Sequence, residues 1–283
     1  MKELLKASKV SGQMLELLSP GPYKIHSRFN NGINLNIEGK LSFIGVGKIN
    51  FPPLGVLLEN GMDKSFTEIH EDYLYWNDRL NGLESKEIFI DFSNAHIIDN
   101  RLITNQNVIS LENLAIMLEI ADINIMTGFG KTVGELSNLK EDFVKDLCSK
   151  FNSSNSLDIQ RILKKLVGRG IGLTPSGDDF LQGILYINEI TPILGDIFVE
   201  ELKNLIVIDK YTTDISINYY KCAFCQMYSS TLINLYNAIK SVNIIEVRKY
   251  IDELLELGNT SGADILSGIL TGINFALNAS KKY

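Results

Sequence analysis

Apolar and polar residues alternate from Tyr23 onward, with Tyr23, Ile25 and Phe29 set between Lys24, His26 and Arg28, the period of a strand with one buried face. Asn30-Asn31-Gly32 then marks a turn. Parity of the flanking positions selects a three-residue loop, with Phe29 opposite Ile33, Arg28 opposite Asn34 and Gly32 at positive φ. The same reasoning at Glu38-Gly39-Lys40 sets Ile37 opposite Leu41 and Leu35 opposite Phe43, so the region reads as a three-stranded antiparallel meander. Further strands are expected near Leu54 to Leu58, Glu87 to Phe92 and His96 to Ile103, with Pro52 and Pro53 in a loop.

After about Ser110 the period becomes helical: Leu111, Leu114, Met117 and Leu118, then Phe143 and Leu147, then Ile159, Ile162, Leu163 and Leu166. Strands first and helices later predict an α+β protein. Its N-terminal unit is mainly antiparallel β, a meander open to barrel-like closure, and a mainly α-helical C-terminal domain follows. The boundary is placed near Asn105 to Ser110, giving units of 1–107 and 108–283.

Composition narrows the function classes. At 283 residues, two modest domains with sizeable cores are the natural reading. A formal charge of −7 with no Lys/Arg-rich run argues against nucleic-acid partners. The apolar run from Phe180 to Val199 is interrupted by Asn188, Glu189, Pro192 and Asp196, too often for a bilayer-spanning helix. Met1 to Leu18 lacks the continuous apolar core of a signal peptide, so a cytoplasmic location is expected. The lone C-x-x-C of Cys222 and Cys225 has no second pair and no nearby histidine for zinc; a helix over Tyr219 to Tyr228 would bury both thiols as structural residues.

Two segments share one pattern 85 residues apart: Ser176-Gly177-Asp178-Asp179-Phe180-Leu181-Gln182-Gly183-Ile184-Leu185 and Ser261-Gly262-Ala263-Asp264-Ile265-Leu266-Ser267-Gly268-Ile269-Leu270. That spacing is too long for a solenoid repeat and fits two equivalent helix starts in one helical domain. The plainest reading makes each a capping box, Ser176 or Ser261 as N-cap with Asp179 or Asp264 three residues on. Gly183 and Gly268 then cost about 1 kcal/mol each relative to alanine unless the two helices cross closely there. Capping does not require the upstream run Gly168-Arg169-Gly170-Ile171-Gly172-Leu173-Thr174-Pro175. Its glycines would expose backbone N–H groups beside a helix start, where phosphate or carboxylate binds, with Arg169 as a clamp. Asp178 and Asp179 would repel a bare anion unless a metal ion or an amino group lay between. The candidate anion-binding residues are Arg169, Gly170, Gly172, Thr174, Ser176, Gly177, Asp178, Asp179, Ser261 and Asp264.

Other motifs are weaker. Gly128-Phe129-Gly130-Lys131-Thr132 ends like a Walker A loop, but Ile125 stands where the pattern needs its first glycine, so it reads as a plain loop. His26, Arg28, Asn34 and Asn36 share the polar face of the first hairpin, either as a solvated face or as part of a site. His70 and His96 have no ligand partners at a defensible spacing and are assigned structural roles.

The run Gly168 to Phe180 with Gly183 resembles the signature of the AllH-type subunit family of oxamate carbamoyltransferase. His26-Ser27-x-Phe29 with Ile33-Asn34, and Thr260-Ser261-Gly262-x-Asp264, extend the resemblance over nearly the whole chain, with Ile171 where proline is common. The resemblance implies a subunit of a carbamoyltransferase that converts oxalurate and phosphate to oxamate and carbamoyl phosphate in anaerobic allantoin breakdown. It implies two partner subunits, one resembling succinyl-CoA synthetase, and a small anionic substrate. It adds His26 and Asn34 to the binding candidates. Carbamoyl transfer needs anion clamps and donors for the oxygen that gains charge. Asp178, Asp179 or Asp264 would orient the carbamoyl NH₂, or Asp178 and Asp179 would hold Mg²⁺, the one cofactor considered. The alternative is a non-catalytic scaffold or anion-binding subunit of a related complex.

Overall fold

The computed structural model describes residues 2–47, 50–59, 69–104 and 109–281. The chain forms two compact units, Met1–Arg101 with Met227–Ser230, and Leu102–Gln226 with Thr231–Tyr283. The expected boundary between 107 and 108 lies within residues 105–108, outside that description.

The first unit is a mixed β-barrel. Strands β1 (Glu3–Ser11), β2 (Gly21–Phe29), β3 (Gly32–Ile37), β4 (Lys40–Gly45), β5 (Gly55–Leu58), β6 (Tyr73–Asn77), β7 (Gly82–Glu84), β8 (Ile88–Asp91) and β9 (His96–Ile98) lie in the order β5-β4-β3-β2-β6-β7-β8-β1-β9. A further pairing of β5 with β1 closes the first eight into a ring. Most pairings are antiparallel; β1 with β8, β1 with β9 and β4 with β5 are parallel. Ile33, Leu35, Ile37, Ile44, Val56, Leu74, Leu83 and Ile90 are fully buried and fill the core. Closure removes sheet edges, which a meander alone would leave open.

Both expected hairpin registers are corrected. Phe29 lies opposite Gly32 and Arg28 opposite Ile33, so the turn holds two residues, and a bulge between Ile25 and Ser27 then brings Ile25 opposite Leu35. The bulge absorbs the extra residue that parity had assigned to the loop. In the next hairpin Ile37 faces Lys40 and Leu35 faces Ser42, because Glu38 and Gly39 both adopt positive φ, 50° and 77°, in a two-residue turn. Turn chemistry outweighed matching of apolar neighbours. The strands β1, β6 and β7 were not anticipated, and the strand expected to reach Ile103 ends at Ile98.

The second unit is helical: α2 (Leu111–Ile120), α3 (Val133–Ser137), α4 (Asp142–Lys150), α5 (Ser156–Leu166), α6 (Ser176–Ile190), α7 (Asp196–Lys203), α8 (Asp214–Ala223), α9 (Ser230–Lys240), α10 (Ile244–Leu255) and α11 (Ser261–Ser280), after the short α1 (Gly12–Leu15) of the barrel unit. Because α8 stops at Ala223, only Cys222 is buried in it; Cys225 lies beyond the helix and is exposed, contrary to the expected pair of buried thiols. None of the described helices is long and apolar enough to cross a membrane.

Helices α6 and α11 form the centre of this unit. A Cβ on Gly183 would fall 2.1 Å from Ile265 O and 3.0 Å from Gly268 Cα, and one on Gly268 would fall 2.0 Å from Phe180 O. Only glycine lets the two backbones meet this closely. The likeness extends upstream of the shared sequence pattern. Asn155 and Asn243 cap α5 and α10, each accepting from the N–H three residues ahead. A Cβ on Gly177 would fall 1.8 Å from Leu166 O, and one on Gly262 would fall 2.0 Å from Leu254 O. Each central helix therefore starts against the last carbonyls of the helix before it.

Candidate functional site

Neither Ser176 nor Ser261 is an N-cap. Each is the first residue of its helix, the caps are Pro175 and Thr260, and no side chain caps either start. The capping-box expectation is thus corrected: the hydroxyls turn to the other helix. Ser176 supports the ionised form of Asp264, and Ser261 that of Asp179. Thr174 Oγ1 and Ser261 Oγ are 3.2 Å apart. The crossing at Gly183 and Gly268 thus brings the two starts together as a reciprocal Ser–Asp exchange.

The three aspartates have distinct surroundings. Asp178 accepts from Gly168 N (3.0 Å) and Tyr220 Oη (3.2 Å) on Oδ1 and from Thr212 Oγ1 on Oδ2. It is 1% exposed and ties the glycine loop to α8. With both oxygens engaged, it is poorly placed to share a Mg²⁺ ion with Asp179, and among the described residues no three His, Cys, Asp or Glu side chains are grouped as a metal site. Asp264, also 1% exposed, accepts from Gly128 N at 3.0 Å on Oδ1, while its Oδ2 has no partner. Burial raises its pKa against the Ser176, Gly128 and Thr260 donors. Asp179 is 5% exposed and its Oδ2 also lacks a partner. Burial pushes its carboxyl up to about 8, reinforced by the charges of Asp264 and Asp178 and opposed by the Ser261 and Thr174 hydroxyls.

The Gly128 segment, which reads as a plain loop in sequence, contributes directly. A Cβ on Gly128 would fall 1.9 Å from Ser176 Oγ, 3.0 Å from Thr260 Oγ1 and 3.1 Å from Asp264 Oδ2. Thr132 and Glu135 form a capping box on α3, and Lys131 pairs with Glu141 at 3.2 Å, so neither acts as a P-loop residue. Phe129 stacks on Phe143, and the Arg169 guanidinium lies 5.1 Å and 5.3 Å from the two ring centroids. Such stacking holds the cation in place while leaving N–H donors free. The only sequence signal for this contribution was the unexplained pair of glycines at 128 and 130.

Gly170 and Gly172 adopt φ of 119° and 104°, and Gly170 packs over the amide of Ser176. Several helix-start amides are already engaged: Gly177 N donates to Arg169 O, Asp178 N and Asp179 N to Pro175 O, and Gly262 N to Leu257 O. The loop therefore shapes the approach to the aspartates more than it offers an open nest of N–H groups. His26 and Asn34 lie in the barrel unit, each beside the Ser27 hydroxyl, at 3.3 Å and 3.1 Å.

Residues 166–273 match the family model described as oxamate carbamoyltransferase subunit AllH. The matched segment includes the glycine loop and both Ser–Asp helix starts. No solved structure matches the chain.

Proposed function

We propose that the chain is an AllH-type subunit of a multi-subunit oxamate carbamoyltransferase, and that the starts of α6 and α11 bind the carbamoyl-bearing substrate. The observation that carries this reading is the pair of buried carboxylates inside the family-matched segment, Asp179 and Asp264, each with a bare Oδ2. A buried acceptor without a partner costs about 1–3 kcal/mol, which a ligand N–H would recover. The substrate supplies both kinds of partner: its carbamoyl NH₂ donates to the ionised Asp264, and the nitrogen of the C–N bond that breaks meets Asp179. Thr174, Ser176, Thr260 and Ser261 surround the carboxylates with hydroxyls, and Arg169 supplies the positive charge for a carboxylate or phosphate group.

In this reading phosphate oxygen attacks the terminal carbamoyl carbon of oxalurate, and the C–N bond to the oxamate nitrogen breaks. Carbamoyl phosphate and oxamate leave. Hydroxyl and guanidinium donors stabilise the oxygen that gains charge. The partners are two further subunits, one of them resembling succinyl-CoA synthetase. The test is phosphorolysis of oxalurate by the co-expressed complex with and without this chain. Full activity without it would leave only a scaffold role.

A further inference from the structure

We infer that Asp179 is the acid of this site, handing a proton to the nitrogen that leaves as the carbamoyl group is transferred; the inference rests on the carbamoyltransferase reading above. Geometry separates the three aspartates. Asp178 and Asp264 each accept from a backbone N–H, a donor that cannot turn around and therefore favours the charged carboxylate. Asp179 has only the Ser261 and Thr174 hydroxyls beside it, and these accept as readily as they donate. Its Oδ2 is buried and bare, which gives a proton a place with no competing protein donor.

The groups acting on it from its surroundings are Asp178 on its own helix, Asp264 on α11, and Tyr219 and Tyr220 on α8. All are acids, and among the described residues no cation pairs with these carboxylates; Arg169 is held over the rings of Phe129 and Phe143. Three carboxylates so placed cannot all ionise at neutral pH without a counter-ion. The proton falls to Asp179, whose carboxyl is pushed up to about 8. In the transfer, hydrogen phosphate forms the new C–O bond, the C–N bond breaks with its electron pair going to nitrogen, and Asp179 protonates that nitrogen. The phosphate proton then restores Asp179, so no net proton is consumed.

The experiment uses the co-expressed complex and the full chain. In the wild type, kcat for oxalurate phosphorolysis should fall as pH rises through about 8. Asp179→Asn, equal in size, should lower kcat by roughly 10²–10⁴-fold with KM little changed and remove that limb, as expected for loss of an acid. Asp264→Asn should raise KM and leave the limb in place. In parallel, ¹³C NMR of the aspartate-labelled chain alone should show a carboxyl titrating near 8, above the burial-raised Asp178 and Asp264, and absent in Asp179→Asn. An active wild-type complex whose Asp179→Asn variant keeps both kcat and the alkaline limb overturns the inference and spares the proposed function. An inactive wild-type complex overturns the proposed function, and the NMR titration then decides the proton: a carboxyl in the ordinary range would overturn that too.

Discussion

Adding one methyl group at the crossing of α6 and α11 should destabilise the chain although it improves helix propensity. In Gly183→Ala the new Cβ would fall 2.1 Å from Ile265 O and 2.8 Å from Ile269 N. Both obstacles are backbone atoms of a buried helix and cannot rotate away. Ordinary carbon contacts lie near 3.5 Å, so the helices would have to part by roughly 1 Å or more. Against fixed backbone atoms this close, overpacking costs about 2–3 kcal/mol, the upper part of its usual range, and the propensity gain returns about 1 kcal/mol, which leaves a net loss of about 1–2 kcal/mol. At a few degrees per kcal/mol, melting should drop by roughly 2–8 °C. Separation would also pull Ser261 and Asp264 away from Asp179 and Ser176, so the phosphorolysis proposed for the complex should fall beyond the loss of stability. Ser267→Ala is the control, since the Ser267 hydroxyl only bonds back to Ala263 O. Urea unfolding and calorimetry on the three proteins decide the matter. If Gly183→Ala melts at or above the wild type, the close approach does not govern this interface.

Other perturbations probe the site piece by piece. Asp178→Ala should cost about 2–4 kcal/mol, because it strands Gly168 N and the Tyr220 hydroxyl, and urea unfolding would show it. The raised carboxyl of Asp179 means that the folded chain keeps a proton the unfolded chain releases at lower pH; this stabilisation is complete below the unfolded pKa and is lost as pH rises toward about 8. Asp179→Asn should therefore gain stability relative to the wild type steadily from about pH 4, the ordinary Asp value, to about 8, and level off above it, in a buffered melting series; a constant difference would contradict the shift. Arg169→Ala should weaken phosphate binding at constant fold, measured by calorimetry, and unchanged affinity would remove Arg169 as the anion clamp.

Hydrophobic period, read residue by residue, was enough to predict an α+β order with strands before helices, because burial of one face imposes period two or 3.6 on any element. It did not find β1, β6 or β7, whose short or charge-interrupted stretches acquire a buried face only when the barrel closes. Register was likewise out of reach: a bulge at His26 and the positive φ of Glu38 are settled by chain closure and turn geometry, and either one shifts a strand's partners.

The repeated Ser-Gly-x-Asp-φ-Leu-x-Gly pattern by itself identified both helix starts and the glycines that let them meet, since such residues are costly unless something is packed against them. What each residue does there was decided by tertiary structure. Two identical local signals for capping became a reciprocal Ser–Asp exchange, because the crossing offered each hydroxyl a buried carboxylate on the other helix. Adjacent aspartates diverged in the same way: Asp178 meets fixed donors and braces the loop, while Asp179, one residue on and rotated by about 100° around the helix, meets only hydroxyls and other acids. Gly128 entered the site from far along the chain, and no local pattern carries that information. Ionisation depends on burial and on the partners that folding supplies, so the sequence names the acids and the fold sets their charge.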